Sequence, residues 1–198
     1  MFIRQHFMTI TKHRHMVMKL CFKIGLYRQG LLHDLSKYSP TEFIRGCIYY
    51  QGYKSPNNKE REVKGYSESW LHHKGRNKHH FEYWLDYDHV DPSRFSGMPM
   101  PRKYIAEMFC DRIAACRIYE KEAYSEGSPL DFFLRGKGRE LMHRDTTRKE
   151  LGFLLLMLAK EGQEKTLKYI KDQYLKGEPI PESYVEPLYR GGPIREFG

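Results

Sequence analysis

The residues best suited to metal chemistry are an adjacent histidine and aspartate, His33 and Asp34. An imidazole nitrogen and a carboxylate oxygen are both common ligands of divalent metal ions. The pair follows Leu31 and Leu32 in a segment of helical spacing, where adjacent side chains point about 100° apart. Both can reach one cation only if it lies against the helix between them, so further ligands must come from elsewhere. The alternative is an ordinary surface pair.

A third candidate ligand, His13, lies on the apolar stripe of a preceding predicted helix. A short turn containing Gly25 joins that helix to the helix of His33, so the two helices are expected to be antiparallel neighbours. Such packing can bring His13 and His33 together. The alternative is a core histidine that is hydrogen-bonded to a backbone carbonyl.

The fourth candidate is Asp111, which shares one face of a later predicted helix with Tyr104 and Met108. An aspartate that faces a core is costly unless it is paired or binds a metal ion. A rotated helix would instead place an Asp111–Arg112 charge pair at the surface. We therefore expect His13, His33, Asp34 and Asp111 to form one metal site.

The segment from Trp70 to Trp84 (WLHHKGRNKHHFEYW) contains two histidine pairs. On a helical wheel His73 and His80 lie on an aromatic stripe that should face inward, which makes them candidate ligands of a second metal ion. Gly75 interrupts this pattern. His72, Arg76 and His79 lie on another stripe. The alternative to a second metal ion is a basic lip that could bind a phosphate by charge alone: Lys74, Arg76 and Lys78 beside His72 and His79.

Apolar spacing and helix-capping residues predict an all-α fold. Residues 51–66 and 86–101 are predicted to be connections, the former a polar surface loop. Leu31, Leu32 and Leu35 are expected to be buried. Residues 1–125 are predicted to form the metal-binding core, and residues 126–198 to add helices and an extended tail from Gly177. The predicted helices cover residues 7–24, 27–37, 40–50, 67–85, 102–124, a short piece from 128, 147–160 and 163–176.

The composition is that of a globular chain with a basic surface. Its 198 residues carry a net charge of +9, which favours phosphate-bearing partners or serves solubility alone. No apolar run approaches the roughly 20 residues that cross a bilayer. The sequence pattern predicts neither a signal peptide nor a disulfide framework, and we expect a reducing, cytoplasmic location. The four scattered cysteines are expected to be buried thiols: Cys21, Cys47, Cys110 and Cys116.

The order His13, His33-Asp34, Asp111 resembles the HD-domain superfamily of metal-dependent phosphohydrolases. The segments LLHDLSK (31–37) and CDRIAA (110–115) are similar to its motifs. The segments HRHMV, GLLHDLSKYSPTEF and WLHHKGRNKHHFEYW resemble, more closely, a family of small bacterial and phage proteins without an established activity. The superfamily resemblance implies a bundle of about five core helices around a metal ion that the four residues hold. It also implies a catalytic or phosphate-contacting role for Lys37.

These observations predict a metal-dependent phosphohydrolase that acts on a nucleotide or another phosphoester. Asp34 and Lys37 are its expected catalytic residues, with Lys74, Arg76 and Arg112 as candidate substrate-binding residues. One or two divalent ions (Mn, Fe, Mg, Zn or Co) are the expected cofactor. One alternative is an HD-type di-iron oxygenase. The other is a non-catalytic protein that binds nucleic acid or takes part in phage interactions, through the basic segments 54–64 and 160–176.

Overall fold

A computed structural model describes residues 1–181, and these residues form the predicted all-α fold. Two short antiparallel strands are the only sheet in this part of the chain: β1 (Leu85–Tyr87) and β2 (Phe95–Gly97). No described helix is long and apolar enough to cross a membrane. The helices are α1 (Ile3–Lys23), α2 (Tyr27–Leu32), α3 (Pro40–Ile48), α4 (Pro56–Lys64), α5 (Glu68–Lys74), α6 (Arg102–Glu120), α7 (Ser128–Arg135), α8 (Lys149–Glu161) and α9 (Gln163–Asp172).

Two of the predicted helix boundaries are confirmed by their capping geometry. The Ser39 side chain accepts a hydrogen bond from the backbone N–H of Glu42, and Pro40 occupies the first position of α3. Gly162 separates α8 from α9 with a φ of 84°, a conformation that glycine adopts without strain. Most of the predicted tail, from residue 182 onwards, lies outside the described residues.

The predicted surface loop at 51–66 was wrong, because this segment contains α4. Ser55 caps α4 by accepting a hydrogen bond from the Asn57 N–H, Pro56 fills the first position, and Gly65 ends the helix. The predicted helix 67–85 was also too long. It ends at Lys74, and the chain then turns and forms β1.

Helix α2 also ends earlier than predicted, at Leu32, and the predicted burial of its leucines was wrong. Leu31 is 55% exposed and Leu32 is 52% exposed. The buried residue of α2 is Gly30, which packs closely against the Cys21 side chain of α1. Since one face of a short helix meets α1 through a glycine, the leucines that follow it point away from the core.

The apolar core lies between α1, α6 and α8. Ile105, Phe109 and Ile113 of α6 are fully buried, as are Leu151 and Leu154 of α8. This core cluster runs without a break from α1 to Tyr174, so residues on both sides of position 125 share it. The four cysteines are buried and free, as predicted.

The position of Gly97 in β2 is set by a close approach of two backbone segments. A Cβ at this position would overlap the Leu141 carbonyl oxygen and the His143 backbone nitrogen. We expect Gly97→Ala to destabilise the protein by about 1–3 kcal/mol, the usual cost of inserting atoms into a packed region. Urea unfolding measures this difference. Gly65→Ala is not a suitable control, because Gly65 has a positive φ, whereas Gly75→Ala meets only ordinary contacts. Equal stability of Gly97→Ala and the native protein would contradict the prediction.

His6 is a buried packing residue at the crossing of α1 and α3. Its ring fills the space that a side chain on Gly46 would occupy. Burial, together with the charge of Lys37, lowers the pKa of His6 from 6.5 to about 4.

A stability loss at acid pH follows from this shift. The unfolded chain takes up a proton on His6 below pH 6.5, whereas the folded chain does so only near pH 4. Stability from the neutral ring is therefore fully present above pH 6.5 and lost as the pH falls to 4, by about 3 kcal/mol. Denaturant unfolding at several pH values measures the free energy of unfolding. Between pH 6.5 and 4 this free energy should fall less in His6→Asn than in the native protein. The same pH dependence of the free energy of unfolding in both proteins would refute the prediction.

Candidate metal centre

The chain turns sharply at the His33-Asp34 pair. Arg14 donates hydrogen bonds from Nε to the His33 carbonyl (2.8 Å) and from a terminal nitrogen to the Leu31 carbonyl (3.0 Å), which satisfies the end of α2. Asp34 then adopts a left-handed conformation with a φ of 54°, which aspartate tolerates better than most residues. The pair thus lies at a corner between α2 and a 3₁₀ turn (Leu35–Tyr38), and the prediction of one helix over 27–37 was wrong here.

The four residues predicted to form one metal site lie together. Their ligand atoms all lie within 4.8 Å of one another. His13 Nε2 of α1 is 2.9 Å from Asp111 Oδ1 of α6 and 3.6 Å from Asp34 Oδ2. His33 Nε2 lies 3.4 Å from Asp34 Oδ2 and 3.7 Å from Asp111 Oδ1. We call these residues the first cluster.

The other carboxylate oxygen of Asp34 faces three more histidines, which we call the second cluster together with Asp34. Asp34 Oδ1 lies 3.2 Å from His73 Nε2 and 3.4 Å from His79 Nε2. His73 Nε2 is 2.9 Å from His80 Nε2. The candidates His73 and His80 are thus brought together. His79 was assigned to the outer basic lip, which was wrong because the helix that this assignment assumed ends at Lys74.

The spacing and chemistry of both clusters fit divalent metal ions. With metal–ligand bonds of about 2.0–2.2 Å, two ligands of one ion are about 3–4 Å apart, as observed here. The clusters also contain buried polar atoms without hydrogen-bond partners among the described residues: Nε2 of His33 and of His79, and Oδ1 of Asp34. Such atoms are rare in proteins and require an explanation. These residues could therefore hold one or two metal ions.

Two buried glutamates behind the histidines were not identified from the sequence. Glu107 Oε1 lies 2.9 Å from His33 Nδ1 and 3.2 Å from His79 Nδ1. Glu107 precedes Asp111 by one helical turn, a spacing that could have indicated it. The carboxylate of Glu42 contacts Nδ1 of His72 (2.6 Å) and of His73 (2.7 Å). Carboxylates commonly orient metal-binding histidines in this way.

The electrostatics of the clusters favour a cation. Burial alone would raise the pKa of Asp34, but His33, Lys37 and His73 hold it well below its usual value. Burial alone would also raise the pKa of Asp111, but its contacts with His13 and His33 hold it well below its usual value.

The histidines and Lys37 respond to the same negative charges. Burial alone would lower the pKa of His79, yet its contacts with Asp34 and Glu107 raise it to about 10. The Lys37 ammonium lies 2.6 Å from Asp34 Oδ2, and this carboxylate raises its pKa despite burial. Buried ionised carboxylates thus surround the site and stabilise positive charge there.

Comparison with known proteins places the chain in a family. Residues 3–155 match the family model described as "Family of unknown function (DUF5662)". The chain belongs to this family. The matched range includes every residue of both clusters. No curated protein and no solved structure matches the chain.

The three predicted substrate-binding residues of this DUF5662 chain differ in their surroundings. Arg76 is exposed and donates a hydrogen bond to the His72 carbonyl of its own turn, so its predicted role gains no support. Lys74 is half-buried at the end of α5. The Arg112 guanidinium lies over the rings of Phe132 and Phe133, at 5.6 and 5.7 Å, and its Nε lacks a hydrogen-bond partner in the described part of the chain.

Proposed function

We propose that this protein is a metal-dependent phosphohydrolase of the HD type that acts on a nucleotide or another phosphoester. The observation that carries the proposal is the position of Asp34. Each of its two carboxylate oxygens faces a separate group of imidazole Nε2 atoms, and Asp34 is almost completely buried. A carboxylate shared in this way is the arrangement expected between two neighbouring cations.

The two clusters assign ligands to two centres. His13, His33, Asp34 and Asp111 hold the first ion, and Asp34, His73, His79 and His80 hold the second. When bound, such ions polarise a phosphoryl oxygen and lower the pKa of a bound water. Because imidazoles supply most of the second set, manganese, iron, cobalt or zinc suits it better than magnesium.

Lys37 and Arg112 are the cations best placed to bind the phosphate. The Lys37 ammonium contacts the buried Asp34, while 27% of the Lys37 side chain is exposed. Lys37 therefore lies between the buried site and the solvent from which a substrate would enter. Arg112 follows Asp111 directly on α6, and its buried Nε has no hydrogen-bond partner among the described residues. In this role both residues offset negative charge on the phosphate as it develops in the reaction. The order of His13, His33-Asp34 and Asp111 along the chain, which resembles the HD superfamily, supports the same assignment.

Metal analysis and a phosphoester screen test the proposal. Purified protein should contain manganese, iron, cobalt or zinc by elemental analysis, and the metal-loaded protein should hydrolyse nucleotides or aryl phosphates. His13→Ala should lose metal from the first centre and lose the activity. His15→Ala is the matched control, since His15 is exposed two residues along the same helix. Metal-free protein that takes up no ion, or equal activity in both variants, would overturn the proposal.

The second candidate function is a di-iron oxygenase, which the same geometry supports. Three histidines and a shared carboxylate in the second cluster suit iron as well as zinc or manganese. An absorption spectrum of aerobically purified protein separates the two functions. Iron-dependent visible bands and consumption of oxygen with a substrate favour the oxygenase, and hydrolysis that persists with zinc or manganese favours the phosphohydrolase.

The nucleic-acid alternative gains less support from the basic segments. In the 54–64 segment, Lys54 and Lys59 both contact Glu62. In the 160–176 segment, Lys168 contacts Asp172. These ion pairs partly neutralise the charge that phosphate backbones would need. Salt-sensitive binding to DNA or RNA that survives Asp34→Asn would nevertheless favour this alternative over an enzyme.

A further inference from the structure

Glu107 occupies a position common to both clusters. It lies on α6, is 5% exposed, and directs one carboxylate oxygen, Oε1, at two histidines from distant parts of the chain. The distances from this oxygen are 2.9 Å to His33 Nδ1 and 3.2 Å to His79 Nδ1. His33 belongs to the first cluster and His79 to the second, so one side chain contacts a candidate ligand of each centre.

This contact determines which nitrogen of each ring is free to bind a metal. An ionised carboxylate only accepts hydrogen bonds, so both Nδ1 atoms must carry the hydrogen. A histidine binds a metal ion as the neutral ring, which has one N–H. With that hydrogen on Nδ1, the lone pair lies on Nε2. His33 Nε2 lies 3.4 Å from Asp34 Oδ2, and His79 Nε2 lies 3.4 Å from Asp34 Oδ1. Both free nitrogens thus point towards the carboxylate that the two clusters share.

We propose that Glu107 is a positioning residue for both metal centres, so that the affinities of the two centres depend on one carboxylate. The inference rests on the metal centres of the proposed function and is independent of the reaction catalysed. Glu42 provides the contrast within the same protein. Its carboxylate contacts His72 and His73, and of these only His73 belongs to a cluster, the second.

Substitutions of the two glutamates should therefore weaken metal binding in different patterns. Glu107→Gln should weaken metal binding at both centres by about 10–100-fold each, the usual effect of removing a carboxylate behind a histidine ligand. Glu42→Gln should weaken the second centre by a similar factor and leave the first unchanged. Glutamine keeps the size of each side chain, so packing changes little in either variant.

Titration of the metal-free full-length chain with Co²⁺ alone tests this, with calorimetry and visible absorption as readouts. We expect two binding steps in the native protein, both weakened in Glu107→Gln and one weakened in Glu42→Gln. Glu120→Gln, at the other end of α6, should behave as the native protein. Normal binding in Glu107→Gln, or weakening of a single step, overturns the inference. A native protein that binds no Co²⁺ overturns the proposed metal centres as well, which separates the two failures.

Glu107→Asp provides a second test should Glu107→Gln fail to fold. It retains the charge but withdraws the oxygen by one methylene, so it cannot reach both rings at the observed distances. We expect the Co²⁺ affinity to fall at both binding steps, as in Glu107→Gln. Far-UV circular dichroism checks that the variant is folded. Co²⁺ affinities equal to those of the native protein in Glu107→Asp contradict the inference.

Discussion

Replacing Asp34 by asparagine is expected to remove metal from both centres and to reduce hydrolysis at least about a thousandfold. The thousandfold reduction in rate follows from the several kcal/mol by which metal ions stabilise charge in the transition state of such reactions. Among the described residues Asp34 alone belongs to both clusters, with Oδ2 towards the first and Oδ1 towards the second. Elemental analysis and steady-state kinetics measure the two effects.

Asparagine is the suitable substitution because it also tolerates a positive φ, so the corner at position 34 should be retained. Asp111→Asn is the matched comparison, since Asp111 belongs to the first cluster only. That variant should lose one ion and keep the other. Full metal content in Asp34→Asn would show that the two clusters do not share this carboxylate.

Replacing Glu60 by alanine is expected to destabilise the protein by about 3–5 kcal/mol, the usual cost of breaking a buried charged network. Glu60 of α4 has no exposed surface. It accepts hydrogen bonds from the hydroxyls of Ser67 and Ser69 at the start of α5 and lies 3.4 Å from Arg45 of α3. Loss of the carboxylate removes these buried hydrogen bonds and the one from the Ser69 backbone N–H, and each hydrogen bond to a charged group contributes about 1.5–3 kcal/mol.

Metal binding should respond to the same change, because α5 carries His73 and the residues after it carry His79 and His80. We therefore expect Glu60→Ala to weaken the second centre more than the first. Glu62→Ala is the control on the same helix, since Glu62 is 47% exposed and pairs with surface lysines. Thermal unfolding gives the melting temperatures of the native protein, Glu60→Ala and Glu62→Ala for comparison. Similar melting temperatures for Glu60→Ala and Glu62→Ala would be evidence against a structural role for Glu60.

The signals that succeeded at the sequence level are local ones. Ser39-Pro40 starts a helix and Gly162 ends one because a cap depends on a few neighbouring residues. Ser55-Pro56 carries the same signal, and it was overlooked in a segment of polar composition. The placement of His13 and Asp111 on inward faces relied on helical phase, which is reliable inside long helices such as α1 and α6.

The predicted outward position of His79 was wrong, because helical periodicity no longer indicates which side chains face inward once the helix has ended. A helical wheel drawn from Trp70 to Trp84 assumed one helix, whereas α5 stops at Lys74 and the turn that follows brings His79 inward beside His73 and His80. His79 is consequently 2% exposed and lies against Asp34. Nothing in the residue types of this segment specifies the path of that turn.

The sequence by itself determined the helical class, the four residues of the first cluster and the special character of the His33-Asp34 pair. Residue type and helical spacing are sufficient for these, because they depend on short stretches of chain. Only the tertiary structure decided that Asp34 serves two clusters and that Glu107 and Glu42 support their histidines. Glu107 is 74 residues from His33 along the chain, and a contact of that range follows from how α6 packs against α1 and the Asp34 corner, which no local pattern encodes.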